Sequence, residues 1–237
     1  YGEDLAVQSG YYVAFNSSMH QDWRKQTVSK NAILINGKGQ YAGRDKSLQM
    51  QSTGEILAAE ERDDHIYIKG DATNAYKLTS PEVTSVTREV YFVSDSYFVI
   101  VDSIDADEEV EIEWRLHSNN EFDLGTGSFR MNGEKAGFYG QVVWSEAGKP
   151  EITQTTGYPG VDMSEIEGLP IGTFMSAKYP KSKRHRIATL LVPYSLDDPK
   201  RVFHFMDDQG YDADLYFTDA DENTFKVVMK KLAATGI

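Results

Sequence analysis

The sequence predicts an all-β protein, a large antiparallel β-sandwich with almost no helix. Aromatic residues make up 12% of the 237 residues, with 14 Tyr and 11 Phe, and these residue types favour strands because they pack well on a pleated surface. Short stretches of alternating apolar and polar residues are separated by frequent turn residues, as in a sandwich. Helical periodicity is confined to Gly54–Arg62, GEILAAEER, which also fits a strand.

The clearest predicted strand is Val110–Leu116, VEIEWRL. Its alternation places apolar side chains on one face and Glu111, Glu113 and Arg115 on the other, so one face is expected in the core and the other in solvent. His117 continues the alternation onto the solvent face, where it could line a site or do nothing.

The segment Arg88–Ala106 predicts two strands that turn at Ser94–Ser96, and the second is apolar enough to be buried on both faces. We expect further strands elsewhere along the chain. They are Leu5–Phe15, Ala32–Ile35, His65–Ile68, Ser128–Met131, Gly140–Trp144, Phe174–Ala177, Arg186–Val192, Arg201–Met206, Ala213–Thr218 and Thr224–Lys230.

Turns and loops complete the predicted order of elements. Asn132-Gly133 gives the strongest hairpin signal and Asn36-Gly37 a second one. The basic run Lys178–Arg186, KYPKSKRHR, predicts a hairpin tip, with an attachment point for an acidic polymer as the alternative. Pro150–Gly172 is expected to be the least structured segment. Because no linker composition interrupts the chain, we predict one β-sandwich domain over residues 1–237.

Charge and cysteine content exclude several classes of partner and site. The net charge is −13, from 37 acidic and 24 basic residues, which argues against a nucleic-acid or anionic-membrane partner because the overall field repels phosphate. The chain has no cysteine, so disulfides and thiolate metal sites are impossible. No apolar run reaches the length of a membrane span.

Candidate functional residues are concentrated in Ser17–Gln40. A Trp ring beside cations and amides is the equipment that holds a sugar acid, and an imidazole is a suitable proton acceptor. We predict His20 as the catalytic candidate. The predicted substrate-binding residues are Trp23, Arg24, Gln26, Lys30, Asn31 and Gln40. The alternative is a solvated surface loop that its Trp pins to the sandwich.

Four segments carry a resemblance to a known family: Leu5–Gln40, Gly70–Tyr76 (GDATNAY), Arg88–Ile104 and Glu111–Ser118. They resemble the C-terminal β-sandwich module of heparinase II/III-like polysaccharide lyases, especially the oligoalginate lyase branch. The resemblance implies that the chain is a C-terminal fragment of a longer lyase, whose N-terminal α/α-toroid domain is absent here. Such enzymes cleave uronic-acid polysaccharides by β-elimination, in which a base removes the C5 proton and an acid protonates the leaving oxygen.

The resemblance also assigns individual residues. His20 matches the second histidine of a family pair, Trp23 the family tryptophan, Gln26 the glutamine of a Gln-Thr pair and Asn31 the asparagine. It therefore implies that His20 is a catalytic or substrate-positioning residue. Met19 stands where the first histidine of the pair is expected, which weakens any role that needs two imidazoles.

Two further departures concern a metal. Gln8 and Lys30 stand where metal-containing relatives carry an Asp and a His that look like zinc ligands. Glutamine is a poor zinc ligand and a protonated lysine cannot be one, so we predict no metal and no other cofactor. Lys30 is then either a cation for a uronate carboxylate or a structural charge.

The expected function is therefore part of a polysaccharide lyase acting on an alginate-like or glycosaminoglycan-like polymer, with the toroid domain as partner and a periplasmic or secreted location. The isolated chain is expected to be inactive. The alternative is a non-catalytic carbohydrate-binding or structural sandwich. The placement of two side chains discriminates between them. Exposure of His20 and Trp23 on an open surface beside Lys30, Asn31 and Arg24 favours the lyase, whereas a buried Trp23 together with a His20 that faces a neighbouring strand favours the structural role.

Overall fold

The fold is described from a computed structural model, which covers residues 1–63, 65–93, 95 and 97–197, together with the backbone of 215–218 and 224–227. The described part is almost entirely antiparallel β-structure, which confirms the predicted fold class. The strands are β1 (Ile33–Ile35), β2 (Glu55–Glu61), β3 (His65–Asp71), β4 (Val83–Val93), β5 (Tyr97–Ser118), β6 (Phe122–Leu124), β7 (Ser128–Asn132), β8 (Ala136–Ser145), β9 (Glu151–Thr156), β10 (Thr173–Ser195), β11 (Leu215–Thr218) and β12 (Thr224–Val227).

Two long strands, β5 and β10, pair with each other and belong to both layers of the sandwich. Residues 97–106 of β5 pair with β4 and with residues 184–191 of β10. This first layer has the order β2-β3-β4-β5-β10-β8-β7-β6. Residues 112–118 of β5 pair with residues 173–179 of β10, and β1 and β9 flank them to form the second layer.

The main core lies between the two layers. Ile104 and Ile187 from the first layer and Ile112, Trp114 and Met175 from the second are each at most 2% exposed. Burying one such aliphatic side chain contributes about 1.5–3 kcal/mol. A second cluster, formed by alternate residues of the same strands, covers the opposite face of the first layer. The predicted burial of the second Arg88–Ala106 strand on both faces is thus confirmed.

The basic run Lys178–Arg186 lies inside β10, so the hairpin-tip prediction is wrong. Phe174–Ala177 and Arg186–Val192 are likewise parts of this one strand. The register shifts between Tyr179 and Arg184 mark the point where β10 passes from one layer to the other. Pro180 falls in this irregular stretch, where the ladder does not require its missing N–H.

Two other predictions about the backbone need correction. Leu5–Phe15 is not a strand, because only isolated backbone bonds hold it and Gly10 adopts a φ of +88°. Pro150–Gly172 is more ordered than expected, since it contains β9 and a short 3₁₀ helix, Met163–Ile166. Gly54–Arg62 contributes strand β2 instead of a helix.

The remaining predicted strands over residues 32–35, 65–68, 128–131 and 140–144 are confirmed, and 213–218 and 224–230 overlap the paired strands β11 and β12. Arg201–Met206 lies outside the described residues. The described α-helices are α1 (Lys46–Gln51), which the Asp45 side chain caps, and α2 (Thr73–Lys77). None of the helices in the described segments is long and apolar enough to cross a membrane.

The two predicted turns differ in type. Asn36 and Gly37 have φ values of +50° and +73°, and Ile35 and Lys38 exchange backbone hydrogen bonds around them, as in a type I′ turn. Asn132 ends β7 as predicted, but the hairpin loop that follows is longer. Its backbone N–H groups at residues 134–136 donate to the carboxylate of Glu3, which holds the start of the chain against this loop.

Candidate functional site

The segment that carries His20 folds as a single π-helical turn, Met19–Arg24. The backbone N–H of Lys25 donates to the carbonyl of His20 at 3.0 Å, which is the spacing of a π-helix. At the start of this turn the carboxylate of Glu165 accepts hydrogen bonds from the N–H groups of Ser18 and Met19, both at 2.9 Å. These bonds lower the pKa of Glu165. They also tie the π-helical turn to the 3₁₀ helix Met163–Ile166.

The inner side of the π-helical turn is buried. Trp23 is 2% exposed and packs against Tyr158 and Phe174, with ring centroids 5.6 and 5.7 Å apart. The Trp23 Nε1–H donates to the Ser9 hydroxyl at 3.0 Å. A side chain at Gly10 would come within 2.7 Å of the Trp23 ring, so glycine is required there. The ring of Trp23 is thus unavailable for stacking on a sugar in this arrangement.

On the outer side of the same turn, the partly exposed His20 and Arg24 meet the exposed Tyr12 and Phe15 of the preceding segment. These four residues are here named the aromatic–cation surface. Tyr12 and Phe15 are 59% and 62% exposed. The His20 ring lies between them, with ring centroids 4.8 Å from Tyr12 and 5.9 Å from Phe15. The Arg24 guanidinium carbon is 5.9 Å from the Tyr12 ring centroid. Neighbouring exposed aromatic side chains make this surface a candidate for contact with a ligand or another domain.

His20 is only partly exposed, and its Nδ1 is buried with no hydrogen bond to any described residue. Its backbone N–H donates to the Ser17 hydroxyl at 3.1 Å, which fixes the residue within the π-helical turn. Of the predicted site residues, the structure therefore brings His20 and Arg24 together on one open surface.

Three other predicted substrate-binding residues face inward and hold the backbone. The Gln26 side chain donates to the carbonyl of Gln21 at 2.6 Å. The Asn31 side chain accepts from the backbone N–H of His117 at 2.8 Å. The Lys30 ammonium donates to the Arg24 carbonyl at 2.6 Å and therefore closes the end of the π-helical turn.

The position of Lys30 bears on the zinc that the family resemblance implies. Its ammonium also donates to the Ser29 hydroxyl at 3.0 Å, and burial, together with the nearby Arg24 charge, lowers its pKa. A hydrogen-bonded ammonium has no lone pair for a metal, and Gln8 is exposed. These residues do not fit zinc, and the described part of the chain contains no group of three His, Cys, Asp or Glu side chains suited to a metal ion.

His117 is 0% exposed, so its predicted solvent position is wrong. The π-helical turn covers this end of β5, and the His117 ring contacts those of Trp23 and Phe174. Burial, followed by the charge of Arg115, lowers the pKa of His117 to about 4. Its ring nitrogens lie near the Val28 and Lys30 backbone without making hydrogen bonds of good geometry to described residues.

Gln40, the remaining predicted residue, belongs to a different place. It lines a cavity with Tyr76, Arg88 and Asp102, a group that contains none of the aromatic–cation surface. The structure therefore separates the predicted site into a partly exposed pair, a set of side chains that hold the backbone, and Gln40 beside the cavity.

Sequence reasoning missed three residues that form or support the aromatic–cation surface. Tyr12 and Phe15 were assigned to a strand, although their position just before the His20 cluster was a usable signal. Glu165 lies more than 140 residues from its partners, and nothing in its local sequence indicates that it caps a helix.

The chain belongs to the family described as Heparinase II/III-like, C-terminal, whose model matches residues 1–203. This membership confirms the resemblance predicted from the sequence. The fold is similar to that of a heparinase III, with 18% identity and a TM-score of 0.62 over 81% of this chain and 28% of that chain. It is also similar to heparan sulfate lyase HepC from Pedobacter heparinus, with 13% identity and a TM-score of 0.64.

The HepC match covers 96% of this chain and 35% of that chain. The chain therefore spans about a third of the length of the solved structures it matches. No functionally curated protein matches the sequence.

Proposed function

We propose that this chain is the β-sandwich part of a lyase that cleaves a uronic-acid-containing polysaccharide by β-elimination. Family membership over residues 1–203 supports this, and proteins that share the fold include a heparinase III and a heparan sulfate lyase. Whether the polymer is alginate-like or glycosaminoglycan-like depends on the residues that bind it, and the oligoalginate branch stays a prediction from the sequence.

The observation that carries the proposal is the aromatic–cation surface. The partly exposed His20 ring contacts two exposed aromatic rings, and Arg24 lies beside that of Tyr12. In the proposed reaction Tyr12 and Phe15 contact the apolar face of a sugar ring, and Arg24 binds its carboxylate. His20 takes up or positions the C5 proton.

The predicted residues that face inward act as positioning residues in this proposal. Trp23 fixes the π-helical turn from below, Lys30 closes its end, and Gln26 and Asn31 tie the following backbone. Holding a reactive group on a rigid support restricts it to the productive geometry. Substituting any of these residues should therefore reduce activity by displacing His20.

The remaining chemistry is assigned to a second domain. The matched structures are about three times as long as this chain, and the family resemblance implies an α/α toroid that supplies the acid for the leaving oxygen. We therefore propose that the toroid domain covers the aromatic–cation surface, that the isolated chain is inactive, and that the enzyme is periplasmic or secreted.

The test is an ultraviolet assay for unsaturated uronate product, using the parent protein with alginate, heparan sulfate and pectate fragments. We expect activity on one polymer, a loss on the order of 10²-fold or more for His20→Gln, and no activity from the isolated chain. His65→Gln, at a partly exposed histidine on β3, is the matched control and should retain activity. A folded parent that is inactive on all three polymers, or a fully active His20→Gln variant, would contradict the proposal.

A non-catalytic sandwich that binds carbohydrate is the second candidate. It is favoured by the exposed rings of Tyr12 and Phe15, which can stack on a sugar without any catalytic group. The burial of Trp23 and the structural use of Lys30 remove two of the contacts that the sequence predicted for a substrate. Binding of the polymer fragments without product formation, weakened by Phe15→Ala but not by Met50→Ala, would support this second function. Met50 is the matched control because it is 81% exposed and remote in sequence.

A further inference from the structure

The first layer of the sandwich carries an apolar region that continues the face of the main core. Residues paired across neighbouring strands lie on the same face of a sheet, so the register places two adjacent rows of apolar side chains across β3, β4 and β5. One row is Ile66, Phe92 and Phe98, and the other is Ile68, Val90 and Ile100. These six residues are here named the open sheet face.

The second layer covers the next row of the same face. In that row Arg88 donates to the carbonyl of Asn31 at 2.7 Å, and Asp102 accepts from the Trp114 Nε1–H at 3.0 Å. Trp114 belongs to the second layer and Asn31 to the segment that leads into it. The open sheet face therefore begins at the edge of this cover.

The open sheet face itself is accessible to a partner. Ile66 and Ile68 are 42% and 41% exposed, and the Phe92 and Phe98 rings, which stack with their centroids 4.6 Å apart, are only half-buried. Strand side chains on the core face of a sandwich are normally covered, because burial of such a side chain stabilises the protein. A contiguous apolar region of this kind is a candidate contact surface.

A cavity of about 280 Å³ borders the covered edge of the open sheet face. Arg88 and Asp102 contribute to its lining, together with the aliphatic side chains of Ile33, Ile56 and Val86. Ile56 is 67% exposed, so the cavity opens towards solvent beside β2. It has room for an aromatic or long aliphatic side chain, the kind of group that anchors a protein interface in a pocket.

The charge around the open sheet face disfavours a second copy of this chain as the partner. Glu61 pairs with Ile66, so its exposed side chain lies on the same face at the rim. Asp95, in the turn between β4 and β5, is another exposed acidic residue at this end of the strands. Two copies would each bring an acidic rim and a net charge of −13, and like charges oppose association. A partner with an apolar surface and a basic rim fits better.

The remainder of a longer parent protein is the partner that the observations favour. The matched solved structures are about three times as long as this chain. Asn31 also connects the open sheet face with the surface that the toroid domain is proposed to cover. Its carbonyl accepts from Arg88 beside the open sheet face, and its side chain accepts from the His117 N–H beneath the π-helical turn.

We propose that the open sheet face and the neighbouring cavity are a docking surface for the N-terminal domain of the parent protein, which places an apolar side chain in the cavity and basic residues near Glu61. This inference rests on the proposed multidomain lyase. It adds a second contact between the domains to the one at the aromatic–cation surface.

The test is site-specific photo-crosslinking in the full-length parent protein, with p-benzoylphenylalanine introduced in place of Ile68. We expect cross-links to peptides that precede Tyr1 in the parent. The readout requires contact and not catalysis, so it is separable from the lyase assay. A parent that is inactive on every polymer but forms these cross-links would contradict the proposed function and support the docking surface.

The same probe in place of Tyr67 is the matched control. Tyr67 is the next residue on β3 and is already aromatic, but it lies on the opposite face of the sheet. We expect on the order of tenfold less cross-linking to the N-terminal domain from position 67 than from position 68, because neighbouring strand residues point to opposite faces. Ile66→Glu should weaken the cross-link from position 68, since docking would then bury an unpaired charge.

Three outcomes would overturn the proposal in a parent that circular dichroism shows to be folded. They are the absence of cross-links from position 68 to the N-terminal domain, cross-links from position 68 that join two full-length copies instead, and equal cross-linking to the N-terminal domain from positions 67 and 68.

Discussion

The core between the two sheet layers and the small cluster beneath the π-helical turn are built in different ways. The sandwich core takes its residues from long strands whose side chains alternate between the two faces. The cluster beneath the turn contains Met19, Trp23, Tyr158, Ile166 and Phe174, of which only Phe174 belongs to a strand. Three separate segments of the chain therefore meet to support the candidate site.

This difference predicts different modes of unfolding. The sandwich core is continuous along the paired strands β5 and β10. We therefore expect the described sheet to unfold as a single cooperative unit when this core is disrupted. The small cluster is joined to the sandwich through the ring contacts of Trp23 with His117 and Phe174 and through a few hydrogen bonds, among them that from the His117 N–H to the Asn31 side chain. Regions with fewer buried apolar contacts open at lower free energy than the core. We therefore expect the candidate site to open at a lower free energy than the sandwich core.

The largest expected contrast is between Ile112→Ala and Trp23→Ala. Ile112→Ala should lower the global free energy of unfolding by about 2–5 kcal/mol. Trp23→Ala removes a local contribution of about 3–5 kcal/mol, which corresponds to roughly a hundredfold or greater increase in the open population of the turn. Limited proteolysis with mass spectrometry should therefore show rapid cleavage near residues 8–30 in Trp23→Ala only.

Chemical denaturation of the same two variants provides the control for this contrast. If both variants show the same loss of global stability and neither shows preferential cleavage near the turn, the two regions form one cooperative unit and the comparison fails.

The pH dependence of His117 sharpens the comparison, because this residue lies where the turn meets β5. Its pKa in the folded chain is about 4, below the ordinary value near 6.5, so the unfolded chain binds the proton more readily. The contribution of His117 to the free energy of unfolding is fully present above about pH 6.5. It decreases by on the order of 3 kcal/mol as the pH falls towards 4. Denaturant titrations between pH 7.5 and 5 should show the start of this loss.

His117→Phe keeps an aromatic ring against Trp23 and Phe174 and removes the titration. Its stability should change less over the same pH range. The variant should keep part of the pH dependence of its unfolding free energy, because burial also lowers the pKa of His185. If the free energy of unfolding changes with pH equally in the variant and in the original chain, His117 does not couple the turn to β5.

A smaller effect is expected at the Asn36–Gly37 turn, which belongs to the sandwich. Gly37 has a φ of +73°, so Gly37→Ala should cost about 1–2 kcal/mol of global stability. Thermal unfolding should show a lower midpoint without new cleavage near residues 8–30. Gly2→Ala is a control, since Gly2 also has a positive φ but lies at the start of the chain; equal effects of both changes would contradict the assignment of strain to this turn.

The smallest expected effect is that of Glu165→Gln. The amide keeps the shape of the side chain but loses the negative charge that accepts from Ser18 and Met19. Because hydrogen bonds lower the pKa of Glu165, its contribution is present at neutral pH and is lost as pH falls through that lowered value. Hydrogen exchange should be faster at residues 18–25 at pH 7, and the difference between the two proteins should vanish in acid. Equal exchange at pH 7 would exclude Glu165 as the cap.

Much of the sandwich could be predicted because local rules and tertiary structure agree there. The alternation of Val110–Leu116 correctly identified the core face of β5, and the turn residues at 94–96 correctly separated β4 from β5. Prediction failed where a distant segment covers a face. The charged face of β5 was expected in solvent, but the π-helical turn buries His117, and no local pattern indicates that cover.

The candidate site was predictable in composition but not in geometry. The sequence identified the crowded segment around His20 and Trp23, because aromatic, cationic and amide groups are rarely so dense in an acidic chain. It could not tell which side chains face outward, since a π-helical turn orients residues differently from a strand or a long loop. The exposure of Tyr12 and Phe15 depends on the path of a segment that passes close over Trp23 at Gly10.

The sequence by itself determined the all-β class, most strand positions and family membership, because each depends on local periodicity or on motifs contiguous in the chain. The tertiary structure alone decided that Trp23 is buried and His20 partly exposed, that Glu165 caps the turn, and that Arg88 pairs with Asp102. These arrangements depend on contacts between residues far apart in the chain, and the free energy of such contacts is set by how whole elements pack, which no local pattern encodes.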